Sequence, residues 1–257
     1  MDGANFGLQH SGRSKLTSRS IRCLIARTCS ALVVPAMLGA QAPVVVPHEL
    51  PSAATASLAS SLDGASGHRR HVWRDTPPFA DAGTVNGYVE IPKGERRKWE
   101  FNMRANARKI DRVMPPDVGG YPVNYGFVPQ TVSYDGDPFD ILVLGPPLPG
   151  GRLVRGTIVG LMLMEDEKGL DSKVVVSPVD ERGRPRYMLD TAEQERIAEY
   201  FRRYKRHETG KFSAVPGWGT AEDGRAYVRM THAFFRECRG RGAAPCRIDP
   251  PGAADAR

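Results

Sequence analysis

The sequence has 257 residues, of which 40% are hydrophobic and 25% charged, with a formal net charge of +7. That length supports one substantial core or two small ones, and the balance of apolar and charged residues excludes a wholly disordered or fibrous chain. No uninterrupted apolar run reaches about 18 residues, which argues against a membrane span.

The positive charge is unevenly placed. Residues 1–42 hold five Lys or Arg and one Asp, net +4, and the rest of the chain carries only +3. A basic excess concentrated at one end weakens the case for nucleic acid as a partner. Residues 3–47 contain no Asp or Glu, and Arg13, Lys15, Arg19, Arg22 and Arg27 precede an apolar stretch over 31–38, followed by Gly39-Ala40-Gln41-Ala42. A charged, an apolar and a small-residue region in that order is the layout of an export signal. Residues 1–42 are therefore predicted as a targeting segment, and the protein as periplasmic or secreted. Pro35 and Pro43 depart from that pattern. The Arg- and Ser-rich composition also suits an organelle transit peptide, and a disordered arm on a cytoplasmic protein is the plain alternative. Residues 43–84, with Ser60, Ser61, Gly64 and Gly67, lack periodicity and read as a flexible spacer.

A domain over 85–238 follows, with a tail over 239–257. Glu90 sits mid-strand between Val89 and Ile91. Trp99 and Phe101 alternate with Lys98 and Glu100, which predicts a strand with both rings in the core. Further strands are predicted over 141–144, 155–164 and 173–176, and Gly and Pro between them suggest a sandwich or small barrel. Asp190 or Thr191 can cap a helix whose Ile197, Tyr200, Phe201 and Tyr204 form one apolar face ending near Gly210. A second helix starts around Thr220, with Tyr227, Met230, Thr231, Phe234 and Cys238 on one side. Strands first and helices last predict an α+β class. Cys23 and Cys29 would leave with the leader; Cys238 and Cys246 are either a disulfide or two ordinary thiols.

The chemistry lies between the strands. Asp135-Gly136-Asp137-Pro138-Phe139-Asp140 packs three carboxylates into a turn stiffened by Pro138. It is either an acidic surface turn or a site for hard cations, whose preferred ligands are oxygens. A calcium loop fails on spacing: counted from Asp135, its fifth, sixth and twelfth positions are Phe139, Asp140 and Pro146. More acids appear at Glu90, Glu165, Asp166, Glu167 and Asp171, interleaved with Lys98, Arg112, Lys173, Lys205, Tyr121, Tyr125 and Tyr204. Metals combined with cations and hydroxyls could bind a phosphate chain, although Tyr204 also fits a packing stripe.

The order of these motifs resembles the soluble family I inorganic pyrophosphatases: Val89-Glu90-Ile91-Pro92-Lys93-Gly94, Lys98-Trp99-Glu100, Asp111-Arg112, Tyr121-Pro122-Val123-Asn124-Tyr125-Gly126-Phe127, then residues 135–140, Asp166, Asp171, Lys173, Tyr204-Lys205 and Gly217-Trp218. The resemblance covers about residues 85–235. It implies a five-stranded OB-like β-barrel with flanking helices, and magnesium-dependent hydrolysis of inorganic diphosphate to two phosphates, with manganese as an alternative ion. By resemblance, Asp135, Asp140 and Asp171 match the ligands of the activating metals. Glu90, Glu100 and Asp166 match positions that hold further metals and their waters. Asp137 matches the general base acting on a metal-bridged water. Lys98, Arg112, Tyr125, Tyr204 and Lys205 match substrate-binding positions, with Lys173 and Tyr121 in support. The family forms dimers and hexamers, which implies a homo-oligomer. Trp99 stands where the family has Tyr. An OB-type nucleic-acid module is the nonenzymatic rival; it would not concentrate carboxylates where a phosphate backbone approaches.

Overall fold

The computed structural model describes residues 70–103 and 105–240. The targeting segment, most of the spacer and the tail beyond 240 (with Cys23, Cys29 and Cys246) lie outside the described residues.

Five strands close into a ring. Strand β1 (Thr84–Ile91) pairs antiparallel with β4 (Asn124–Phe127) on one side and with β6 (Leu153–Asp166) on the other. Strand β4 continues to β5 (Asp140–Val143), β5 runs parallel to β8 (Lys173–Pro178), and β8 returns antiparallel to β6. The expected five-stranded β core is thus present. Apolar runs at Ile141-Leu142-Val143 and Val174-Val175-Val176 are fully buried, as strands covered on both faces must be. Their side chains alternate between the two faces. Leu142 and Val175 pack with Ile197, Tyr200 and Phe201 of helix α2 (Thr191–Arg203). Ile141, Val174 and Val176 pack with Tyr227 and Val228 of helix α3 (Ala221–Gly240). Each fully buried aliphatic side chain of this kind contributes about 1.5–3 kcal/mol. Gly126 is required where β4 crosses β1: a Cβ there would lie 1.8 Å from the Tyr88 carbonyl oxygen.

Both predicted helices form, and the cap of the first is Asp190, one of the two residues read from the sequence. The Asp190 side chain accepts from the Glu193 N–H, and Thr220 and Asp223 bond reciprocally at the start of α3. Helix α2, however, stops at Arg203, and turns rather than helix carry the chain to Gly210. A strand the sequence reading lacked, β9 (Ser213–Gly219), separates the helices and pairs with β6. Its Pro216 and two glycines conceal it, and a single partner strand suffices for it. Strand β6 also turns back on a two-residue strand, β7 (Gly169–Leu170).

Two expectations change. Trp99 lies on β2 (Arg97–Asn102), which pairs with β3 (Ala107–Val113) as a separate hairpin. A register shift opposite Lys98 and Trp99 leaves Asp111 of β3 unmatched, and of the β2 residues only Phe101 is buried. Trp99 is instead half-buried, with the Arg97 and Arg108 guanidinium groups 5.7 and 4.6 Å from its ring. The spacer expected over 43–84 enters the described residues at Arg70, and from there the chain is packed. A short helix α1 (Val72–Asp75) inserts Trp73, whose Nε1 donates to the Thr131 carbonyl at 2.9 Å and whose ring meets Phe235 edge-on at 5.0 Å. Cys238 is buried and disulfide-bonded. Among the described residues no helix is long and apolar enough to cross a membrane.

Candidate active site

The acidic turn is built by local backbone chemistry. Gly136 takes φ +90°, the Asp137 carbonyl accepts from the Ser133 N–H at 2.7 Å, and the Asp135 carboxylate accepts from the Asp137 N–H at 3.1 Å. Phe139 is buried and its N–H donates to Thr131 Oγ1. The turn is therefore pinned at its base while Asp135 and Asp137 project from it. Asp140 follows as the first residue of β5, and Lys173 as the first of β8, beside it. Asn124 is fully buried with every side-chain bond used: Oδ1 accepts from Lys93 and Leu148 N–H, and Nδ2 donates to the Val143 and Pro146 carbonyls. It clamps the loops that flank Tyr125.

These elements surround a two-lobed cleft. One lobe, about 130 Å³, is walled by Arg112, Asp135, Asp166, Asp171, Tyr204 and Lys205, and by Tyr121 at its floor. The other, about 150 Å³, is walled by Glu90, Glu100 and Asp137. Lys98, Tyr125 and Asp140 border both. Every predicted site residue except Lys173 lines one lobe or both. Lys173 lies directly behind, 1% exposed, with its Nζ donating to Asp140 at 2.5 Å and Asp171 at 2.8 Å. Lys205 Nζ donates to Asp166 at 2.6 Å and to Glu167 at 2.9 Å. Lys98 Nζ reaches Glu100 at 2.8 Å, and Arg112 is held between Asp111 and Glu208. Glu167, Lys168, Glu208 and Lys211 complete the surroundings and were absent from the predicted set. Only the proximity of Glu167 and Lys168 to Asp166 in the chain could have flagged them.

The charge is not balanced within the cleft. Burial, the Asp140 charge and the nearby Glu100 raise Glu90 to about 8, against the opposing bond from the Phe101 N–H. Crowding by protein and the Asp135 charge raise Asp137 to about 7, although water reaches its carboxylate from the cleft; Lys168 opposes the rise. Burial raises Asp171 to about 7 despite Lys173, with Asp140 adding to the shift. Burial also raises Tyr125 and Tyr204, which stay protonated as hydrogen-bond donors.

An all-oxygen donor set with raised carboxyl pKa values is suited to hard divalent cations. Asp140 and Asp171 already converge on one positive centre, the Lys173 ammonium. Among the described residues no ion pair reaches Glu90 or Asp137, and no three His, Cys, Asp or Glu side chains yet stand close enough to enclose one ion.

Comparison with known proteins converges on one family. Residues 87–236 match the family described as inorganic pyrophosphatase. The inorganic pyrophosphatase of Caulobacter vibrioides is 36% identical over 170 residues, covering 63% of this chain and 93% of that one. The inorganic pyrophosphatase of Thermus thermophilus is 41% identical over 160 residues, covering 59% and 90%. The crystal structure of inorganic pyrophosphatase from Thermus thermophilus superposes with a TM-score of 0.60 at 33% identity, over 65% of this chain and 99% of that one. The structure from Neisseria gonorrhoeae gives 0.58 at 31% identity, over 63% and 96%.

Proposed function

The chain belongs to the inorganic pyrophosphatase family and hydrolyses inorganic diphosphate, and from that premise we propose that the hydrolysis depends on magnesium, with manganese able to replace it, and uses Asp137 as general base. The observation that carries this reading is the cleft itself, where under-compensated carboxylates face Lys98, Arg112 and Lys205 across a space open to solvent. Asp135, Asp140 and Asp171 would hold the activating ions, with Glu90, Glu100 and Asp166 holding or orienting the rest. Bound divalent ions supply positive charge against the diphosphate and make the attacking water more acidic.

The chain's own residues do the remainder. Lys98, Arg112 and Lys205 offset the charge of the diphosphate oxygens, and Arg112 presents a planar donor edge to them. Tyr125 and Tyr204 donate from hydroxyls that burial keeps protonated. Asp137 accepts a proton from the water as its oxygen bonds to phosphorus, the bridging P–O bond breaks, and two phosphates leave. A carboxyl poised near neutrality is matched to that transfer. Lys173, buried behind the cleft, holds the Asp140 and Asp171 carboxylates in place.

Asp137→Asn removes the base and little volume. Its turnover is expected to fall by about 10²–10⁴-fold, the usual worth of a positioned base, with the thermal unfolding midpoint retained. Turnover near the wild-type value in a folded variant would remove Asp137 from this role.

A further inference from the structure

Strand β6 turns back on β7 through a loop of two residues, because Asp166 pairs with Gly169. Gly169 adopts φ +108°, and the Lys168 N–H donates to the Asp166 carboxylate at 2.7 Å, so the tip of the hairpin is held in one orientation over the cleft. Its two side chains go opposite ways. Glu167 turns to Lys205 at 2.9 Å. Lys168 extends across the mouth to Asp135, with 3.6 Å between Nζ and Oδ2. Burial works against the Lys168 ammonium, but Asp135, Asp137, Asp166 and Asp171 together raise its pKa above the ordinary value. Asp135, the acid its ammonium contacts, is among those assigned above to the metals, and the other three act on it through space.

We propose that Lys168 competes with the divalent ion for Asp135 and thereby raises the metal concentration at which the enzyme loads. The inference rests on the metal-dependent reading of the cleft. The ammonium differs from Lys173 and Lys205, which are buried and fixed: the Lys168 side chain is 59% exposed and can swing away into solvent when an ion arrives. It therefore acts as a removable counter-ion, a positioning residue rather than a catalytic one.

The test is calorimetric titration of the metal-free full chain with Mn²⁺, without substrate. Lys168→Met, which keeps the aliphatic stem, is expected to bind Mn²⁺ about three- to fivefold more tightly, the size of effect expected of a solvent-screened pair. Lys168→Arg is expected to restore the wild-type affinity. The difference between Lys168→Met and wild type is expected to vanish in about 1 M salt, where the Debye length is about 3 Å. Equal or weaker Mn²⁺ binding by Lys168→Met, or tight binding by Lys168→Arg, overturns the inference while leaving the cleft's function intact. Failure of the wild-type chain to bind Mn²⁺ at all overturns the metal reading and this inference with it.

Discussion

Three carboxyl groups, Glu90, Asp137 and Asp171, carry pKa values of about 8, 7 and 7, well above those of free side chains. Between about pH 4 and 8 the folded protein therefore binds protons that the unfolded chain has released. Their contribution to stability is fully present below about pH 4 and is lost as the pH rises through the folded values. Asp75 and Glu95, held down to about 2 chiefly by hydrogen bonds from Arg74 and Arg97, act in the opposite sense, but only below about pH 4. In the presence of a chelator the unfolding temperature is thus expected to fall on going from pH 5.5 to 8, by on the order of 5 °C. Magnesium favours the ionised carboxylates, so its addition is expected to flatten the dependence. Scanning calorimetry at the two pH values, with and without the ion, measures this; a chelated protein more stable at pH 8 would contradict the charge description of the cleft.

At the scale of elements, the sequence made legible what repeats with a clear period or sits in a capping pattern. The β5 and β8 runs, the apolar stripe and Asp190 cap of α2, and the start of α3 near Thr220 all formed as read. Strand β9 was hidden because Val215-Pro216-Gly217-Trp218 has no alternation. Trp99 was misplaced because β2 pairs only with β3, outside the ring of strands, where an apolar face is not fully covered. The segment before β1 was missed because α1 has four residues and its packing is long-range: Trp73 reaches Thr131, and Gln130 bonds back to the carbonyls of Trp73 and Arg74. That contact holds the loop leading into the acidic turn. Trp73→Ala is expected to cost about 3–5 kcal/mol in urea unfolding, the range for a buried aromatic. A loss below about 1 kcal/mol would show that residues 70–75 are an appendage rather than part of the core.

Across the whole molecule, the ring of strands brings together residues separated by more than a hundred positions, from Glu90 on β1 to Lys205 after α2. Taken alone, Asp135, Asp137 and Asp140 could have been an acidic turn; what makes them a site is the placement of Asp166, Asp171, Lys98 and Arg112 on the same cleft. The sequence showed those residue types and their order, but no local pattern reveals that Lys173 lies behind the cleft rather than in it, or that Glu208 holds Arg112. Both depend on side-chain contacts between distant elements. The central claim is that this cleft hydrolyses diphosphate with a divalent ion, and phosphate release from diphosphate by the purified full chain tests it most directly. Two phosphates per diphosphate with magnesium, and none with excess chelator, is the expected result. A folded chain that binds Mn²⁺ yet releases no phosphate, or releases it equally well in chelator, would contradict it.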